Sequence, residues 1–312
     1  MIKVCFVGLG SIGKRHCLNL LQILDNGEIT LDALRSHKGG VIPKQIEENL
    51  HEVYFDMESM PSDYDIIFIT NPTNMHYETI KGLVHHTKHM FIEKPVFQNP
   101  ISDVSELMLK GDGIYYVAAP LRYNPVIQKL KEMIPQEKVY SVRVICSSYL
   151  PEWRKGIDYR DNYSAKKDMG GGVALDLIHE MDYITNLFGM PKEILYYGGT
   201  YSDLEIDSDD LGTYLLKYKD KIVELHLDYF GRTPRRELEL FCKNYTIFAD
   251  LIHNHLELQY SDYAQNIPVS EDHDYVDEMI NFLEMVKGKT INDNDIEHAN
   301  EVLKLALNRR KP

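Results

Sequence analysis

Ile2-Lys3-Val4-Cys5-Phe6-Val7-Gly8-Leu9-Gly10-Ser11-Ile12-Gly13 sets a short apolar run, broken by one Lys, directly before a GxGxxG turn. A continuous apolar run of that length suits a parallel strand buried on both faces. Residues 11–25 follow with Ile12, Cys17, Leu20, Leu21 and Leu24 near helical spacing, which predicts a helix. Between the two, Gly8 permits a tight turn, Gly10 lets backbone amides approach a pyrophosphate, and Gly13 lets helix and strand pack closely. The helix N-terminus, with Ser11 and Ile12 in its first turn, then offers unsatisfied N–H groups and a dipole to an anion. A strand, a glycine turn and an amphipathic helix in that order predict a dinucleotide site.

Working outward, the first ~120 residues alternate strand-like and helix-like stretches, as repeated βαβ units do. Strands are expected at 29–35, 65–70, 89–93 and 114–119, and helices at 76–87 and 101–110. After Pro120 the pattern changes. A connecting helix at 125–134 precedes strands at 139–148, 193–201, 211–218, 221–230, 236–242, 245–250 and 255–260. A single helix over 172–188 interrupts them, and helices at 274–287 and 293–310 follow. The expected architecture is an α/β Rossmann N-terminal domain, 1–120, and an α+β C-terminal domain, 121–312, with a large open mixed or antiparallel sheet. The last helix is expected to be able to pack back on the first domain. In 221–230, Ile222, Leu225 and Leu227 suit either core or interface.

The chain has 312 residues, 44% hydrophobic and 26% charged, with a net charge of −14. Two domains fit that length, and so acidic a surface disfavours nucleic acid and anionic membranes as partners. Cys5, Cys17, Cys146 and Cys242 show neither a metal-ligand spacing nor a disulfide framework, so no metal is expected. Cys5 reads as a small buried hydrophobe. With no cleavage site after the first apolar stretch and no run of ~20 apolar residues, a reducing, cytoplasmic location is expected.

The end of the second strand discriminates between cofactors, because an acid there binds ribose hydroxyls and an Arg accommodates a 2′-phosphate. If the strand runs to Leu34, Arg35 and Ser36 take that position, with Lys38 close by, and NADP is favoured. If it stops at Leu31, Asp32 takes the position and NAD is the alternative.

Phe91-Ile92-Glu93-Lys94-Pro95-Val96 puts a Lys at the end of a parallel strand, the edge where open α/β sheets bind ligands. Such a Lys can hydrogen-bond a substrate hydroxyl and move its proton. Together with GLGSIG at 8–13, NPTNMH at 71–76 and GGGVALDLIHEMD at 170–182, this segment resembles the Gfo/Idh/MocA oxidoreductases, in order along the whole chain. The resemblance implies that Lys94 is catalytic and that Asp176 and His179 complete the site. It also implies that Asn71, Pro72, Thr73, His76 and Glu93 border the cofactor. The family places its His four residues after the Asp; here the gap is three. Either spacing would put both side chains on one helix face, and Asp182, three further on, is a secondary candidate. The implied reaction passes a hydride between nicotinamide and a hydroxyl or carbonyl carbon, with His179 or Lys94 handling the proton.

Residues 149–165 hold the sole Trp, three Tyr and two Arg in one aperiodic stretch. Trp153, Tyr159 and Tyr163 suit stacking on a sugar, and Arg154 and Arg160 suit a carboxylate or phosphate; a packing loop or dimer contact is the plain alternative. Arg122 and Tyr123 resemble a family segment that borders the substrate, and could equally anchor a hinge. YLPEWR, DLIHEMDY, SDLEID and LHLDYFGR resemble a family branch associated with surface-glycan sugars. A sugar, polyol or sugar derivative is thus the expected substrate, and a homodimer or homotetramer the assembly the resemblance implies. Two rivals keep the fold: an NAD-dependent glycosidase, which would release sugar without accumulating reduced cofactor, and a non-catalytic nucleotide sensor, which would have no need of Lys94 with Asp176 and His179.

Overall fold

The computed structural model describes residues 1–24, 27–37 and 40–308; Lys38 lies outside them, as do the last two residues of the helix expected at 293–310. The chain forms two compact units, Met1–Ala118 with Tyr275–Glu301, and Ala119–Asp274 with the segment that begins at Val302.

In the first unit, strands β1 (Ile2–Val7), β2 (Ile29–Leu34), β3 (Leu50–Tyr54), β4 (Tyr64–Ile69), β5 (Thr87–Ile92) and β6 (Tyr115–Val117) form one sheet in the order β3-β2-β1-β4-β5-β6. Every neighbouring pair is parallel. That order reverses between β1 and β4, and ligands of open α/β sheets bind beyond the strand ends at such a reversal. Helices α1 (Ser11–Ile23), α2 (Lys44–Glu47) and α3 (His76–Leu83) supply the crossovers. Where a helix was expected at 101–110, only a single turn forms, Val104–Leu107. Asp103 caps its start through Ser105, Met108 is left-handed at φ 52°, and only Leu107 is buried, so no apolar face exists to extend it.

An aromatic cluster lies within the core of this unit. Phe6 stacks on Phe68 at 4.3 Å, and the helix Asp274–Val286 adds Phe282 against Phe91 at 5.2 Å and Tyr116 at 5.9 Å. Met279, Leu283 and Met285 of the same helix join that cluster, while the Tyr116 hydroxyl donates to Glu278 at 2.9 Å.

The second unit begins with α4 (Pro125–Met133), capped by the Asn124 side chain. Its sheet comprises β7 (Val139–Tyr149), β8 (Glu193–Gly199), β9 (Leu211–Lys217), β10 (Ile222–Asp228), β11 (Phe230–Cys242), β12 (Thr246–Asp250), β13 (His255–Gln259) and β14 (Ala264–Asn266), in the order β14-β13-β12-β11-β7-β10-β9-β8. The β7–β10 pair is parallel and the others antiparallel, so the sheet is mixed. Along β10, Leu225 and Leu227 are buried core residues, whereas Ile222 is 40% exposed.

The helix expected over 172–188 is two pieces, α5 (Val173–Asp176) and α6 (Ile178–Phe188). Leu177, at φ −99° and ψ 30°, is not helical and separates them. Asp176 and His179 therefore lie on different helices, and the one-face argument from their spacing does not hold. Among the described residues, no helix is long and apolar enough to cross a membrane.

Candidate active site

The glycine turn sits where β1 hands over to α1. Gly8 has φ +89°, and a Cβ there would lie 2.9 Å from the Asn71 Cα. A Cβ on Gly13 would fall 2.2 Å from the Gly8 carbonyl oxygen and 2.7 Å from Thr70 Oγ1. These two glycines are therefore required by the protein's own packing. Gly10 is different: a Cβ there would meet nothing within 4 Å. Gly10 is also the N-cap of α1, which has no side-chain cap and no acidic residue in its first turn. Exposed Ser11 and half-buried Ile12 open that turn. The start of α1 thus lacks a side-chain cap and carries the positive end of the helix dipole, an arrangement suited to an anion. Thr70, which carries no spacing signal in the sequence, ties the turn to β4 through a hydrogen bond from its hydroxyl to the Gly8 carbonyl, 2.5 Å.

Strand β2 runs through Leu34, so Arg35 and Ser36 follow its end. Arg35 N–H donates to the Tyr54 carbonyl at 2.9 Å, and its guanidinium donates to the Gly40 carbonyl at 2.7 Å. The exposed Ser36 is followed by His37, stacked on Phe55 at 4.5 Å. Asp32 is 1% exposed within the strand, accepting from the Tyr64 hydroxyl at 2.7 Å and contacting His51 at 3.2 Å. The strand end and the acid are thus separated.

Beyond β4 and β5 lie the next two segments. Asn71 donates from its side chain to Thr79 at 2.8 Å, and Pro72 caps the turn Thr73–Met75. His76 is 1% exposed; its Nε2 lies 3.0 Å from the Asn71 carbonyl and its Nδ1 3.0 Å from that of Pro95. It is enclosed between these two turns. Burial pushes its imidazole below the ordinary value, against the pull of those carbonyls and of Glu93. Glu93 is buried as well, 2.5 Å from Nε2 of the fully buried His16 on α1, and accepts from the Lys94 backbone N–H at 3.1 Å. Lys94 itself is half-buried, immediately after β5, and joins Pro95 by a cis peptide bond.

The second unit gathers most of the remaining predicted residues. Asp176, 8% exposed, accepts from the Tyr229 hydroxyl at 2.6 Å. Trp153 packs edge-on to Tyr229 at 5.2 Å and donates from its indole to Ser148 at 3.0 Å. Burial, with the charge of Asp176 next, pushes the Tyr163 hydroxyl up to about 12. The Arg154 guanidinium lies 5.1 Å over the Tyr163 ring and donates to Asn162. Gly171 allows this assembly, since a Cβ there would be 2.3 Å from the Tyr163 carbonyl oxygen. Half-buried His179 lies in the first turn of α6. Tyr229, like Thr70, is a residue that sequence reasoning missed; it stands 53 positions from Asp176, with no motif to link them.

Other predicted contacts have partners of their own. Arg122, 3% exposed, forms a two-pronged pair with Asp182, both contacts at 2.8 Å, and half-buried Tyr123 closes the same turn. Arg160 is exposed and paired with Asp158 and Glu205, while the Tyr159 hydroxyl accepts from the Glu205 N–H at 3.2 Å.

Residues 2–110 match the model of an oxidoreductase family with an NAD-binding Rossmann fold, and residues 127–248 match the Gfo/Idh/MocA C-terminal domain. The chain is 25% identical over 265 residues to myo-inositol 2-dehydrogenase from Thermotoga maritima, covering 80% of this chain and 75% of that one. Its fold is similar to a levoglucosan dehydrogenase solved with NADH and L-sorbose, at TM-score 0.79 and 14% identity over 98% of this chain and 95% of that one. It is similar too to a UDP-N-acetylglucosamine 3-dehydrogenase from Acidithiobacillus ferrooxidans, at TM-score 0.76 and 16% identity over 99% and 96%. Both structural likenesses speak to the fold.

Proposed function

Because this chain belongs to the Gfo/Idh/MocA oxidoreductase family, we propose that it oxidises a CH–OH carbon of a sugar, polyol or sugar derivative, or reduces the corresponding carbonyl. The single observation that carries the reading is Gly10, with open space where a side chain would stand, at the uncapped start of α1 and the reversal point of the sheet. The amides of that first helical turn would hold the pyrophosphate. Bound nicotinamide dinucleotide supplies the hydride acceptor or donor.

NADP is the favoured cofactor. Its support is Arg35 directly after β2, with Asp32 buried and engaged by Tyr64. Lys94 and His179 are the residues to which we assign the substrate proton: an ammonium or an imidazolium can donate to a carbonyl oxygen, and the neutral amine or imidazole can accept from a hydroxyl. Asp176 is assigned to substrate binding, its carboxylate held by Tyr229 and backed by Trp153. The neighbouring Tyr163 and Arg154 offer an aromatic face and a cation to a sugar derivative. Free cysteines at 5, 17, 146 and 242 support a reducing, cytoplasmic setting. Leu195, Tyr197 and Leu215, exposed on β8 and β9, supply apolar area for a homodimer or homotetramer.

The test is incubation with NADP or NAD and a panel of polyols, sugars, sugar acids and sugar nucleotides, following the absorbance of reduced cofactor. Net accumulation with at least one of them is expected. Release of sugar from a glycoside with no net reduction would replace the dehydrogenase with a glycosidase.

A further inference from the structure

The mechanism assigned above leaves a fully buried histidine and a buried carboxylate unused. His16 is 0% exposed and Glu93 6%, and they are 77 residues apart in sequence. Glu93 uses one oxygen for His16 and the other for the Lys94 backbone N–H. The Nδ1 of His16 is buried with no hydrogen-bond partner among the described residues, so Glu93 is the ring's polar contact there. His76 brackets the other side of the same turn through the Pro95 and Val96 carbonyls, at 3.0 and 3.2 Å.

We propose that Glu93 is a positioning residue for the Lys94 turn, a buried anion that fixes the Lys94 backbone, and not a ligand of the cofactor. The proposal rests on the assignment of Lys94 to proton transfer. The physical reason is the cost of leaving a carboxylate out of water. It persists as an anion only where hydrogen bonds and opposite charge replace its hydration, and here both are supplied by the elements that frame the cofactor turns. His16 comes from α1, behind the pyrophosphate amides; His76 comes from the start of α3; Lys94 is the following residue. Beyond His16 stand Tyr275, with its ring 5.8 Å away, and Arg15, which lies over that ring at 4.6 Å. Burial pushes the Glu93 carboxyl up, yet His16, Lys94 and His76 together hold it below the ordinary carboxylate value.

The variant Glu93→Gln keeps the shape and removes the charge. Its dissociation constant for NADP, read by protein fluorescence without substrate, should stay within about threefold of the parent, while kcat falls by about tenfold. A cofactor constant raised by about tenfold with kcat intact would make Glu93 a cofactor ligand and overturn the proposal. A kcat and a cofactor affinity reduced together would also overturn it, leaving Glu93 a structural residue. Should Glu93→Gln fail to fold, the His16 pair decides. His16→Gln keeps a donor toward Glu93 and should hold kcat within about threefold, whereas His16→Leu should lose about tenfold at unchanged cofactor affinity; equal rates in the two would sink the idea. A parent-like rate in Lys94→Ala would instead remove the catalytic assignment of Lys94, and the cofactor-binding measurement on Glu93→Gln would still settle whether Glu93 touches the nucleotide.

Discussion

Arg35 and Lys94 carry the two assignments most directly open to single substitutions. Among the described residues, the Arg35 guanidinium has one carbonyl contact, at Gly40, and a guanidinium carries further donors that suit a phosphate. Arg35→Ala should therefore weaken NADP by about tenfold to a hundredfold and NAD by far less, as loss of a charge-assisted contact costs ~1.5–3 kcal/mol. Equal weakening of the two, in parallel fluorescence titrations, would return the cofactor question to its start. Lys94→Ala should abolish turnover and leave cofactor affinity nearly unchanged. Most of these residues were legible because motif and position coincide: a glycine turn after an apolar strand, a Lys after another. Thr70, Tyr229 and the His16–Glu93 pair were not, since each works through a partner that only the folded chain brings near. Arg160 illustrates the converse. Its residue type suits an anionic ligand, but Asp158 and Glu205 already occupy it, and no spacing in the sequence announces that.

At the scale of elements, the helix Asp274–Val286 has more influence on the nucleotide-binding unit than its place in the chain suggests. Phe282 touches three aromatic rings of that unit, Phe68, Phe91 and Tyr116, at 6.0, 5.2 and 5.9 Å between centroids. It is 0% exposed. Truncation would remove the ring's transfer free energy and leave a cavity among side chains that cannot easily collapse, so Phe282→Ala should cost about 3–5 kcal/mol. Urea denaturation followed through NADP binding checks this, and a loss below ~1 kcal/mol would mean that the helix is dispensable to the sheet. Strands with continuous apolar runs, such as β1 and β4, could be read directly. β3 could not, because as an edge strand it leaves His51 and Glu52 exposed and lacks an apolar run. β14 is three exposed residues defined only by pairing with β13. The break at Leu177 was equally hidden: every residue from Val173 to Ile178 is buried, and a continuous apolar stretch gives periodicity nothing to measure.

For the whole molecule, two buried histidines tie stability to pH. His89, 6% exposed on β5, accepts the Ile114 N–H on its Nδ1 at 3.0 Å, and burial, then Lys88, pushes its imidazole down. His76 is pushed down by burial too. The unfolded chain, with histidines at the ordinary value of 6.5, takes up protons that the folded chain resists. The stability contributed by keeping these rings neutral is therefore complete above about pH 6.5 and declines as the pH falls below it. The net charge of −14 works in the opposite direction, because partial neutralisation on acidification relieves self-repulsion. Carboxylates held low in the fold, Glu93 among them, titrate below this window and leave it to the histidines. Because the two trends oppose each other, a comparison is more informative than a single curve. His89→Asn keeps an acceptor for the Ile114 N–H and removes the titration. Its melting temperature should fall less than the parent's between about pH 7 and 5.5, and parallel curves would show that His89 is no part of the acid sensitivity.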